Sequence, residues 1–297
     1  MSLLQEYTPQ PDNVDPVVEE QSDANGFGSL LELYETISEE AFIVGDVNNW
    51  LQRKAAKIST TVRDNLRALT NFNFKRPDVI NVQPMARSLN TRDYTDLVGL
   101  EVYVPVGFQN ELLGYATTLT SVSQPLAAGA LVDVLLPAQK CFGYYINNTG
   151  EANETRELIC KPKTTLADIT KVIEAEAAYF IAGNHRSTAP LGDVFENKNA
   201  IVTTADMLNK INHSLWQQVP PEKVQAEVEK LSKLSTVLLG LLENNADNTS
   251  AVFVKALVGQ LVEVGRFIEW YAVLMTRLGD FTAAMKLNEK NLIDLHQ

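Results

Sequence analysis

The sequence predicts a mainly α fold: long antiparallel helices in a bundle, an extended N-terminal arm, and at most a short β element near residues 98–104. Three observations predict it. Apolar residues recur at intervals of three and four along several long stretches, the repeat of one helix face. The run Leu100-Glu-Val-Tyr-Val-Pro105 instead alternates apolar with polar, as a half-buried strand does. The first residues, in contrast, are acidic, amide-rich and broken by Pro9, Pro11 and Pro16, with Gly26 and Gly28 closing the stretch. Such a composition cannot bury enough apolar surface to fold alone.

Residues 1–28 are therefore read as an acidic arm and 29–72 as an acidic helix followed by a basic one. Ser29 suits an N-cap, Glu32 complements the helix dipole, and Leu30, Leu33, Tyr34 and Ile37 share a face. Gly45–Asp46 breaks that pattern. A longer helix from Val47 to Leu69 follows, with Val47, Leu51, Ala55, Ile58, Val62, Leu66 and Leu69 in a near-heptad seam and the bases on its other faces. The two pair as a hairpin or across subunits.

Residues 73–107, holding Pro77 and Pro84, read as an extended connection with the short strand inside it. The bundle domain is expected over 108–297. Its first helix carries Phe108, Leu112, Tyr115, Leu119 and Val122 and stops at Pro125. Leu126 to Asn147 is a second apolar helix that Pro137 kinks or splits. Asn147 to Pro162 is a polar loop with room for a brief strand at Leu158 to Cys160. Thr165, with Asp168 three residues on, starts a helix to Ala182, and Gly183 suits its C′ position. Residues 183–200 read as a second polar loop.

The C-terminal part is the most regular. A helix spans Ala205 to Gln217. Pro220 ends it and Pro221 suits the first turn of the next. Val224, Val228, Leu231, Ser235, Leu238 and Leu242 then form one seam. Asn244 to Asn248 is a turn, and Ser250 caps a last long helix to about Met285. Gly279–Asp280 marks a bend, and a short terminal helix follows. The last two long helices are expected to form an antiparallel hairpin.

No motif names a reaction. Phosphate-cradling Gly-rich loops, a Gly-x-Ser-x-Gly elbow and His-x-x-x-His spacing are all missing, and His185, His213 and His296 stand far apart. Cys141 and Cys160 form no Cys-x-x-Cys; Cys141 reads as a core thiol and the pair as a mark of a reducing compartment. Glu174 and Glu176 lie on different helix faces. Glu39 and Glu40 decorate a surface. Phe267, Ile268, Trp270 and Tyr271 read as a core stripe, and Trp50 and Trp216 as core residues or interface anchors. No secretion signal is visible, so the sequons at Asn147, Asn153, Asn212 and Asn248 are not expected to carry glycans. Lys255, Glu263, Arg266, Glu269 and Arg277 interrupt the most apolar stretch, which argues against a membrane span. No enzyme activity, metal or cofactor is expected.

The charges are sorted along the chain. Residues 1–52 hold eleven acids and no Lys or Arg; residues 53–92 carry a net +7; the whole chain is −12. A sequence pI near 4.8 opposes general binding to nucleic acid, leaving at most a local phosphate contact by 53–92. Arg53, Lys54, Lys57, Arg63 and Arg67, with Trp50, are the expected partner contacts. An acidic amide-rich arm, helices joined by long polar loops, and the tripeptide Ser38-Glu39-Glu40 resemble virion structural proteins of large tailed bacteriophages. The resemblance implies a head or tail component in the virion, assembled in the host cytoplasm and contacting other copies or other virion proteins. It also implies maturation cleavage after Glu40, a Glu with a small residue two positions earlier, which would remove ten of the eleven acids. The alternative expectation is an acidic interaction protein that blocks a host nucleic-acid-binding factor.

Overall fold

The structure is a computed structural model that describes residues 74–129, 134–148, 179–181, 183–244 and 251–294, together with Thr60 and Asp64. Of these residues 74% are helical, so the fold is mainly α. The arm, the 29–72 hairpin apart from Thr60 and Asp64, and the strand at Leu158 to Cys160 lie outside them. In chain order the elements are α1 (Val82–Asn90), β1 (Glu101–Tyr103), α2 (Leu112–Gly129), α3 (Leu136–Asn147), β2 (Thr188–Pro190), the single turn α4 (Leu191–Val194), α5 (Lys198–Gln218), α6 (Pro221–Asn244) and α7 (Ala251–Asp294).

The C-terminal seam forms the core as its spacing requires. Val224, Val228, Leu231, Ser235 and Leu238 are buried along α6. Phe267, Ile268 and Tyr271 are buried along α7. The Tyr271 hydroxyl donates to the Val219 carbonyl at 2.7 Å, which places the middle of α7 beside the start of α6. With only residues 245–250 between them, the two helices run antiparallel. α2 packs along α5, α3 along α6, and α1 across both α5 and α7. Gln139 of α3 ties to Glu227 of α6 at its backbone carbonyl (2.9 Å) and at its carboxylate (2.8 Å).

Several elements depart from the sequence reading. Residues 73–107 are not an extended connection: they contain α1 and a 3-10 turn at Tyr94–Asp96. Pro84 falls in the first turn of α1, where a missing N–H costs little. Ile80, Met85, Leu89, Leu97, Val102 and Val104 belong to the same core as the bundle, so this segment is part of the domain and not a lead into it. α2 does not stop at Pro125 but continues to Gly129. Pro125 lacks one intrahelical hydrogen bond without ending the helix. Leu126 accordingly belongs to α2, and Pro137 sits in the first turn of α3.

Residues 183–200 are not a plain loop. They hold β2, α4 and the first turn of α5, which begins two turns before Ala205. Its cap is Asn197, whose side chain accepts from the Ala200 amide at 2.9 Å. α7 runs through Gly279–Asp280 and Met285 to Asp294 as one helix, about 66 Å long at 1.5 Å per residue. Phe281, Thr282, Met285 and Leu292 keep its last turns buried.

The β element sits where the alternation put it. β1 pairs antiparallel with β2, Val102 opposite Ala189. The ribbon extends past the strands. The Ile181 amide donates to the Gly107 carbonyl at 3.0 Å, and Phe108 bridges Phe180. Residues 179–181 are thus ribbon and not the end of a helix reaching Ala182. Gly107 has φ +82°, and a Cβ there would stand 3.2 Å from the Asn184 carbonyl oxygen, so a substitution there would be strained. Phe108, Tyr115, Tyr179, Phe180 and Phe281 cluster where the ribbon meets α2 and α7, with the Arg277 guanidinium 4.5 Å above the Phe180 ring.

Candidate functional site

Residues 74–81 form a strap that crosses α5 and the end of α7. A strap lacks the internal hydrogen bonds of a helix, so its backbone groups need partners from elsewhere. Asn209 of α5 supplies two: its Oδ1 accepts from the Ile80 amide at 3.0 Å and its Nδ2 donates to the Ile80 carbonyl at 2.9 Å. Glu289 of α7 accepts from the Asn81 amide (2.9 Å) and from Asn81 Nδ2 (2.7 Å). Lys286 Nζ donates to the Val79 carbonyl (2.8 Å) and to Glu289 (2.7 Å). Asn288 repeats the Asn209 device one strand away, accepting from the Tyr103 amide (2.7 Å) and donating to its carbonyl (2.8 Å).

Glu289 is only 5% exposed. Burial alone would raise the carboxyl pKa. Lys286 and the two Asn81 donors outweigh it and hold the group below the usual Glu value.

The strap and α5 enclose an open cleft of about 340 Å³. Arg76, Pro77, Asp78 and Val79 line one wall; Asn209, Lys210, Asn212 and His213, one turn of α5, line the other. Lys210 is paired with Asp206 at 2.6 Å, with both side chains largely exposed. Arg76 and His213 are exposed and form no ion pair among the described residues. Asn212 is buried and donates to Thr282 Oγ1 at 2.9 Å, while its Oδ1 has no hydrogen-bond partner. Val79, 65% exposed, adds an apolar lip. Arg76 and Lys210 suit carboxylate or phosphate oxygens, Arg76 in bidentate fashion.

The sequence-predicted contacts Arg53, Lys54, Lys57, Arg63, Arg67 and Trp50, and the cleavage position Glu40, lie outside the described residues. Of the basic stretch 53–92, Lys75, Arg76, Arg87 and Arg92 are described, and all four are exposed. Only Arg76 reaches the cleft. His185 is exposed and remote from it in sequence, and Cys141 is buried as expected of a core thiol. Trp216 packs against the core, its indole N–H without a partner. Among the described residues no His, Cys, Asp or Glu cluster suits a metal ion, and no helix is long and apolar enough to cross a membrane. Sequence reasoning missed Asn209, Lys286, Asn288 and Glu289. The signal for the last two was a polar pair on the buried α7 face, between Met285 and Leu292.

In comparisons with known proteins, no protein family, no curated sequence and no solved structure matches this chain.

Proposed function

We propose that this chain is a noncatalytic structural or assembly protein, a head or tail component of a phage virion, whose charged N-terminal region contacts neighbouring subunits. The observation that carries the reading is the charge sorting: eleven acids without a base, then a basic stretch. The mounting of that stretch supports it. Its C-terminal end is bound to two helices through Asn209, Lys286 and Glu289, so whatever precedes residue 74 departs from a fixed point. Complementary charge on a fixed mount sets the orientation of a contact more than its strength.

Sedimentation of the pure protein at several salt concentrations tests this. Association that weakens as salt rises, and co-sedimentation with virion components, are expected. A protein that stays monomeric at every salt concentration and binds no virion component overturns the proposal. Competition with DNA for a basic host protein would instead favour the blocking role that the −12 charge suggests.

A further inference from the structure

We infer that the cleft between the strap and α5 receives the acidic arm of a second copy of this chain, around Asp15-Pro16-Val17-Val18-Glu19-Glu20. This rests on the proposal that the N-terminal region joins neighbouring subunits, and it names the surface that the arm meets.

Charge complementarity is the first ground. Among the described residues Arg76 is the open cation of the cleft, Lys210 is shared with Asp206 at 2.6 Å, Asp78 is the one acid in the lining, and His213 adds a further donor. The guanidinium of Arg76 forms no ion pair among the described residues, so its bidentate face is open to a carboxylate. Residues 1–28 carry six acids and no base.

Shape is the second. A volume of about 340 Å³ is at the small end for binding pockets and holds a few residues, not a folded element. The exposed Val79 and Pro77 offer an apolar lip, and Val17-Val18 lies between the arm's acids. In an extended segment successive side chains point to opposite sides, so Val17 and Glu19 share one face and Val18 and Glu20 the other. Either face brings one apolar and one acidic group to a cleft that has both kinds of partner. Asn212 supplies a third ground: it is a buried cleft residue whose amide oxygen is unpartnered and would accept a backbone N–H of the incoming segment after a small opening.

Each copy carries both halves of the contact on different parts of its sequence. The interface is therefore heterologous, the arm of one copy entering the cleft of the next.

The test uses two full-length variants. Arg76→Glu with Lys210→Glu inverts the cleft and leaves the arm intact. Glu19→Lys with Glu20→Lys inverts part of the arm and leaves the cleft intact. Each alone is expected to weaken self-association at least about tenfold at low salt, the scale of one lost charge-assisted contact. Mixed together, they are expected to recover association, because the intact arm meets the intact cleft and the inverted arm carries the charge opposite to that of the inverted cleft. Unchanged thermal melting of both variants is the control for folding. Self-association of both variants at wild-type strength overturns the cleft assignment and leaves the assembly role standing. So does a wild type that joins other virion proteins but not itself. Variants that weaken singly but fail to complement show that arm and cleft do not meet each other, which also overturns the inference. A short DNA duplex that binds the wild type and is lost on Arg76→Glu replaces the peptide with phosphate.

Discussion

The strap and strand segment 74–104 and the helical layer α5–α7 belong to one core, yet they are held by different chemistry. The helices satisfy their own backbones and meet through apolar seams. Asn209 and Asn288 each close a two-bond bridge with an extended residue, and Glu289 and Lys286 complete the set. The lesson is that polar residues on a buried helix face here replace the neighbouring strand that an irregular segment lacks. Loss of a seam residue should therefore weaken the whole domain, and loss of a bridge should act first on the strap.

The largest test of this contrast is Phe281→Ala. Phe281 is fully buried and stacks on Tyr115, so the change should cost about 3–5 kcal/mol in chemical denaturation and unfold helices and strap together. Next come Asn209→Ala and Asn288→Ala. Asn288→Ala leaves the Tyr103 amide and carbonyl unpaired, while Asn209→Ala leaves the Ile80 amide unpaired and its carbonyl with only the Val82 amide, for about 1–3 kcal/mol each. Hydrogen exchange at Ile80 or Tyr103 should rise by more than exchange in the middle of α6; an equal rise would erase the distinction.

A smaller effect is expected from pH. Because the carboxyl of Glu289 lies below its ordinary value when folded, its contribution is present above the unfolded Glu value of about 4.3 and is lost as pH falls through the folded value. Glu289→Gln should be less stable than wild type at pH 7, and the gap should close below about pH 4.3. A gap independent of pH would mean that packing alone gives Glu289 its role. Last, the exposed Lys233–Glu229 pair spans 2.7 Å on the surface of α6. Alanine at both positions should leave the unfolding midpoint unchanged, since solvent screens such pairs.

The helical class, the α6 seam, the start at Pro221 and the strand near Val102 were legible because each has a local signal: a period, a cap or an alternation. What was not legible depended on distant partners. Pro125 reads locally as a helix end, yet α2 continues past it to Gly129. Pro84 reads as a breaker, yet it falls where a helix start tolerates it. The bridge from Asn209 to Ile80 spans 129 positions, and an isolated Asn in a helical stretch gives no sign of that. The cleft was invisible for the same reason. Arg76 belonged to a recognised basic stretch, but only the strap's path brings it beside Lys210 and His213.

The bond between Asn81 and Glu289 spans 208 positions. A ribosome that has made the strap must therefore add most of the domain before the strap's last anchor exists. At about 5–20 residues per second that interval is roughly 10–40 s. The strap is thus made long before the last of its partners. The fold consequently acts as a timer: the strap gains its last side-chain partners only after α7 has been made.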